Sequence, residues 1–237
     1  MSAAKLNSLT VIIPAYNEAR ALAAVVNNVV LGLRPVSDYE ILIINDASTD
    51  NTGAIADHLA SQNQRIRVIH NPRNMNLGFN FRKGLELARM QFVCLIPGDD
   101  EVSQESIAAI IGATGAADLV LAYHANSEMR HPLRRLISRT FVRILNFLFG
   151  LNIRYYNGPA IFDVAAARTV SLTTFGFAYM AEMAVTLLKR GHSYKEIPMT
   201  IKQNEKGINW RVFRPKNVLG VMKTLFSLWW RAKRGKL

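Results

Sequence analysis

Short, continuous apolar runs alternate along the chain with polar segments of helical period. Residues 9–13 read as a buried strand, and a helical pattern follows Asn17 and Glu18. Residues 40–45, 66–70, 91–96 and 117–123 predict four more strands. Between them the pattern predicts a loop from Asp46, a helix over Thr52–Ser61, a turn at Asn74–Gly78 and a helix over Phe79–Arg89. Regular alternation of strand and helix predicts an α/β fold with a mostly parallel central sheet and helices on both faces. In such sheets ligands bind beyond the C-terminal strand ends. The loops at Pro14–Glu18, Asp46–Asp50 and Gly98–Asp100 each follow a predicted strand, so they are expected to gather on one edge.

The second half is patterned differently. Leu133, Leu136, Ile137, Phe141, Ile144, Leu145 and Leu148 follow helical spacing, with Arg135, Arg139 and Arg143 four apart on another face. Val218, Leu219, Met222, Leu225, Phe226 and Trp229 form a second apolar stripe, with Lys216, Lys223, Ser227, Arg231 and Arg234 opposite. Both predict basic amphipathic helices. Each stripe either packs on the core or lies in a membrane interface, where anionic lipid attracts Lys and Arg while Trp and Phe dip below the headgroups. Trp229-Trp230 ahead of Arg-Ala-Lys-Arg favours the interface for the last helix. The division expected is a main domain over residues 1–210 and a basic amphipathic helix over 211–237.

Charge sharpens this picture. The net charge is +12, but six Arg between Arg130 and Arg154 and eight Lys or Arg between Arg211 and Leu237 supply 14 of the 29 basic residues. Neither segment holds an acidic residue, and the remainder of the chain is close to neutral. Positive charge so confined suggests an anionic partner surface. No nucleic-acid motif is present, and the basic helices carry apolar stripes rather than exposed aromatics. The 237 residues suit one sizeable α/β domain. The single cysteine, Cys94, allows no internal disulfide and reads as a buried, inert thiol. The apolar run at 9–13 is stopped by Pro14, shorter than a signal peptide requires. No charge-free stretch reaches the roughly 20 residues that span a bilayer. The expectation is a cytoplasmic, non-spanning chain.

The sharpest chemical feature is Asp99-Asp100-Glu101 directly after an apolar strand. Adjacent carboxylates repel, so something must offset that cost. A hard divalent cation bridging to phosphate oxygens would do so; a solvated loop capping the next helix is the alternative. His70, His124, His131 and His192 show no metal-ligand spacing. Gly32, Gly53 and Gly78 do not form the dinucleotide-binding array. The first loop, Pro-Ala-Tyr-Asn-Glu, lacks the glycines of a nucleotidyltransferase.

Four segments change the balance for the acidic cluster: Val11–Glu18, Ile43–Thr52, Asn74–Gly78 with Gly84, and Ile96–Asp100. In order and spacing they resemble family 2 glycosyltransferases, and among them the polyprenyl-phosphate sugar synthases of the dolichyl-phosphate mannose synthase kind. The resemblance spans residues 9–125 and continues more loosely to about residue 225. It implies a GT-A-type nucleotide-diphospho-sugar transferase fold and a UDP- or GDP-linked sugar donor. Pro14, Tyr16, Asn17 and Glu18 would line the nucleotide pocket, and Asp46 would hydrogen-bond the base. Asp99 and Asp100 would hold magnesium or manganese, Asp99 also lying against the nucleotide and Asp100 being catalytic. Gly98 stands where the family has the first Asp of Asp-x-Asp, so Asp99 takes over as the second carboxylate.

On the acceptor side, Arg135 and Ser138 match the stretch that meets a polyprenyl phosphate. Asn157 and Gly158 match the following segment, of which only the glycine is retained. Lys206 and Arg211 would clamp the diphosphate. Glu182 matches an acidic residue near the acceptor and could be base, hydrogen-bond acceptor or structural. The implied reaction is inverting transfer of one sugar to a polyprenyl phosphate at the inner membrane face. A soluble glycan or small-molecule acceptor, or a non-catalytic protein binding anionic surfaces, are the rivals.

Overall fold

A computed structural model describes residues 7–176, 178–202, 215–235 and 237. In chain order the elements are β1 (Ser8–Ala15), α1 (Leu22–Gly32), β2 (Asp38–Asn45), α2 (Thr52–Gln62), β3 (Ile66–His70), α3 (Leu77–Leu87), β4 (Phe92–Leu95) and α4 (Gln104–Gly112). There follow β5 (Leu119–His124), a 3-10 turn at Ser127–Met129, α5 (Pro132–Phe149), β6 (Ala160–Asp163), α6 (Val164–Arg168), α7 (Tyr179–Lys189), β7 (Tyr194–Met199) and α8 (Pro215–Lys233).

The seven strands form one sheet in the order β3-β2-β1-β4-β6-β5-β7. Only β6 runs against the rest, pairing antiparallel with β4 and β5. Because side chains alternate across a strand, each strand feeds two cores. Val11 and Ile13 of β1, with Ile41 and Ile43 of β2, pack under α1, α2 and α4. Ile12, Ile44, Val93 and Leu95 pack on the other face against α3, α5, α6, α7 and α8. Burial on both faces explains why these strands are continuous apolar runs rather than alternating ones. Cys94 is fully buried in the first core, and burial pushes its thiol up to about 12, the inert state expected.

The five strands read from the sequence are all present, with small differences at their ends. The helix expected over Phe79–Arg89 is α3, which begins two residues earlier at Leu77. Gly84 on α3 faces β1 so closely that a Cβ there would stand 2.4 Å from Ile12 Cδ1. Both amphipathic helices form. On α8, Leu225 and Leu228 are buried in the same core as α3 and α7, so this helix packs on the main body. The outward face is not purely polar: Leu219, Met222, Phe226 and Trp230 are exposed, as are Leu133, Leu136, Ile137, Ile144 and Phe147 on α5. Among the described residues, no helix is long and apolar enough to cross a membrane.

Candidate active site

The loops after β1, β2 and β4 do converge. Asp46 N–H donates to Ala15 O (2.9 Å) and Gly98 N–H to Pro14 O (3.1 Å), so the last two carbonyls of β1 tie the other two loops to it. Asn17 N–H donates to Ser48 Oγ (3.0 Å) while Asn17 Oδ1 accepts from Thr49 N–H (2.8 Å). Glu18 N–H donates to Thr52 Oγ1 (2.8 Å), and Ala19 N–H to Asp50 Oδ2 (3.3 Å). The hydrogen bond from the Thr52 hydroxyl, then backbone donors, hold the Asp50 carboxyl below its ordinary range. Tyr16 and Glu18 are half-buried and Asn17 is exposed beside this seam.

Among the described residues, four non-glycines have left-handed backbone: Asn17 (φ 58°), Ala47 (φ 60°), Asn76 (φ 71°) and Asp100 (φ 57°). One sits in each of the four loops after β1, β2, β3 and β4. Such conformations cost roughly 1–3 kcal/mol each and cluster where structure serves a site.

Asp46 is buried and its carboxylate is already engaged. Oδ1 accepts from Asn71 Nδ2 (2.8 Å) and Met75 N–H (2.8 Å), and Oδ2 from Asn76 N–H (3.1 Å). Asn71 Nδ2 also donates to Asn80 Oδ1 (2.7 Å), and Lys83 Nζ to Asn71 Oδ1 (3.2 Å). Asp46 thus shapes the 74–76 loop from beneath. Gly78 is required there, since a Cβ would stand 2.7 Å from Phe175 O.

Asp99 and Asp100 lie just beyond β4, outside the next helix. The cap of α4 is Ser103, whose Oγ accepts from Ser106 N–H (3.2 Å), so the acidic pair is not the helix cap. Asp99 Oδ1 accepts from Glu101 N–H (3.2 Å). Asp100 Oδ2 receives Lys202 Nζ at 2.7 Å. Among the described residues, Asp100 Oδ1 is buried with no hydrogen-bond partner. No group of three or more His, Cys, Asp or Glu side chains there is arranged to hold a metal. The donor set is therefore two adjacent carboxylates with one unsatisfied oxygen, which fits a magnesium or manganese ion completed by phosphate oxygens and water.

A second concavity of about 260 Å³ lies beside α5. Arg130, Arg135, Arg139 and Arg154 line it, with Ser127, Ser138, His124 and Tyr155. Arg130 and Arg154 lie over the rings of Tyr155 and Tyr123, at 5.7 and 4.5 Å. Burial, then the charges of Arg130 and Arg134, push His124 down to about 3, so its imidazole is neutral. Arg135 and Ser138 are thus brought together as expected. Asn157 and Gly158 are not in the lining: Asn157 is exposed, and Gly158 packs where a Cβ would meet Ala122 O at 2.4 Å. Lys206 and Arg211 lie outside the described residues. His124, which shows no metal-ligand spacing, lines this concavity, and Lys202, which no motif marks, reaches the acidic pair.

The pocket and the acidic pair are joined through the chain after β7. Asn126 clamps Ile201 by two hydrogen bonds (2.9 and 3.0 Å), and the next residue, Lys202, reaches Asp100.

Glu182 is fully buried in the first turn of α7. It accepts from Thr173 N–H (2.9 Å), Thr173 Oγ1 (2.8 Å), Thr174 N–H (3.3 Å) and Arg231 of α8. Of the three roles left open for it, this geometry is that of a hydrogen-bond acceptor joining three segments.

Comparison with known proteins gives first the class. The model of Glycosyl transferase family 2 matches residues 10–173, more than half of the chain. The chain belongs to that family, and its fold is that of the GT-A glycosyltransferases. Among curated relatives, the polyprenol monophosphomannose synthase of Mycolicibacterium smegmatis is 29% identical over 212 residues, covering 84% of this chain and 79% of that protein. The undecaprenyl-phosphate mannosyltransferase of Micrococcus luteus is 26% identical over 209 residues, covering 83% of this chain and 84% of that protein. Among solved structures, glucosyl-3-phosphoglycerate synthase from Mycobacterium tuberculosis with manganese, UDP-glucose and phosphoglyceric acid superposes with a TM-score of 0.68. It is 16% identical and covers 94% of this chain and 80% of that one.

Proposed function

We propose that this chain moves one sugar, with inversion, from a nucleotide diphosphate donor to a polyprenyl phosphate at the cytoplasmic face of a membrane. The observation that carries the reading is the pairing of an acidic ledge, Asp99-Asp100, with a four-arginine pocket bridged to it by Asn126, Ile201 and Lys202. The ledge suits a metal-bound donor diphosphate; the pocket suits an anionic acceptor. Pro14, Tyr16, Asn17, Glu18 and Asp46 form the nucleotide side, with Asp46 acting mainly by holding the 74–76 loop under the base. A divalent cation on Asp99 and Asp100 would neutralise charge developing on the departing diphosphate.

Inversion follows from a single displacement. A phosphate oxygen held by Arg135 and Ser138 attacks the anomeric carbon as the bond to the donor diphosphate breaks. That nucleophile is already an anion, so no general base is needed, and Glu182 is free to serve as a strut. Lys206 and Arg211 would complete the diphosphate clamp.

The names of the two relatives support a lipid acceptor, and so does the surface. Leu219, Met222, Phe226 and Trp230 on α8, and Phe147 on α5, are exposed beside Arg139, Arg143 and Lys223. Apolar side chains flanked by cations suit an anionic bilayer surface. The test incubates the protein with UDP- and GDP-hexoses, manganese, and vesicles carrying undecaprenyl phosphate, and reads lipid products by mass spectrometry. A hexosyl phospholipid supports the reading. Hexosyl transfer to soluble phosphoglycerate alone would replace the acceptor.

A further inference from the structure

The carboxylate best placed to bind the metal carries a cation of the chain's own. Lys202 Nζ stands 2.7 Å from Asp100 Oδ2, although 102 residues separate them in sequence. Both backbones are pinned to make this pair. Lys202 N–H donates to Glu101 O (2.8 Å), Ile201 forms a β-bridge with Val102, and Ser103 N–H donates to Thr200 O (3.1 Å). Asn126 holds Ile201 from the other side, and Asp100 is fixed in left-handed backbone. The lysine head group, by contrast, is not enclosed. Its side chain is 45% exposed and ends in a compact charge on a flexible stem. It can leave Asp100 without any movement of the backbone.

We infer that Lys202 is the resident counter-cation of the metal site, held on Asp100 until a divalent cation and the donor diphosphate arrive, and then transferred to the diphosphate. This rests on the reading of Asp99 and Asp100 as metal ligands. An ammonium at 2.7 Å from Oδ2 and a divalent cation on the open Oδ1 compete for the charge of one carboxylate, because they repel each other across it. Metal binding is therefore disfavoured while Lys202 stays on Asp100, and favoured once it lets go. Metal alone leaves the freed ammonium the charge of the exposed Glu105 carboxylate, a solvated and weaker partner. Metal with nucleotide supplies a diphosphate to receive it. Binding of the two is thus coupled through Lys202, and linkage makes the coupling reciprocal. The lysine disfavours metal in the empty site and favours it once the donor is present.

The test measures manganese binding by paramagnetic resonance titration of wild type, Lys202→Met, Lys202→Gln and Asp100→Asn. Each is titrated alone and with saturating UDP or GDP, and circular dichroism confirms the fold. For both Lys202 variants manganese is expected to bind about two- to fivefold more tightly without nucleotide, the range for a partly exposed ion pair. The gain in manganese affinity on adding nucleotide is expected to shrink by a similar factor. Unchanged or weaker manganese binding by both Lys202 variants, with binding lost in Asp100→Asn, overturns the inference and leaves the metal site standing. Manganese binding undiminished in Asp100→Asn removes the metal site, and the inference falls with it.

Discussion

Glu182 and Arg231 form the contact whose loss the structure makes most specific. Glu182 has no exposed surface, while the Arg231 side chain is 24% exposed. Changing Glu182 to Ala leaves Thr173 N–H, Thr174 N–H and Arg231 without their acceptor. Removing one partner of a buried pair costs about 3–5 kcal/mol. Partial exposure of Arg231 lets its guanidinium rehydrate, which places the expected cost near 3 kcal/mol. For a chain of 237 residues that lowers Tm by about 6–12 °C. Arg231→Met leaves Glu182 its three other donors and is expected to cost only about 1–2 kcal/mol. The double variant should lose less than the sum of the two, by about 1 kcal/mol or more. Urea unfolding followed by tryptophan fluorescence reads this, since Trp229 and Trp230 lie beside Arg231 on α8. A coupling energy below about 0.5 kcal/mol would refute the strut. Catalysis gives a second arm. A strut predicts that Glu182→Gln loses activity in step with stability and keeps the wild-type pH profile. A base predicts an intact fold with one limb of that profile abolished.

Other consequences are as concrete. Arg135→Ala should raise the apparent KM for polyprenyl phosphate about 10- to 100-fold, as expected for one charge-assisted hydrogen bond, with little change for the nucleotide sugar; steady-state kinetics would show an equal effect on both substrates if the pocket were not the acceptor site. Gly158→Ala should cost about 1–3 kcal/mol, because its Cβ meets the Ala122 backbone oxygen. Gly112→Ala, with nothing within 4 Å of its Cβ, should be neutral or stabilising in the same melt. The His124 pKa is depressed in the fold, so the unfolded chain takes up this proton first. Its contribution is complete above about pH 6.5 and lost as pH falls toward 3. His124→Asn should therefore flatten the acid limb of a stability–pH curve.

Much of the parallel sheet and of the loops at its edge was legible because their signals are local. Buried parallel strands write themselves as apolar runs, and Pro14, Asp46 and Gly98 punctuate their ends. The remainder depends on distance. Strand β6 has four residues, and β7 carries Pro198 with Met199 as its one buried residue, so neither shows a period. Helix α7 is buried for nine consecutive residues, which removes the amphipathic stripe that would announce it. The α8 stripe was read correctly as apolar, but only the structure divides it. Leu225 of the stripe faces inward with Leu228, which the stripe leaves out; Leu219, Met222 and Phe226 of the stripe face outward with Trp230, while Arg231, assigned to the wet face, turns to Glu182. The pairs Glu182–Arg231 and Asp100–Lys202 span 49 and 102 residues, and no local spacing encodes them.

The central claim is a metal-dependent nucleotide-sugar site at Asp99 and Asp100. The most direct measurement is a thermal-shift series with uridine, guanosine, thymidine and cytidine diphosphates, each with and without manganese, on wild type and Asp100→Ala. A ligand bound only by the native state raises Tm by mass action. The account predicts a manganese-dependent rise with one base, abolished in Asp100→Ala. A rise of equal size in Asp100→Ala, or no rise with any nucleotide, would contradict it.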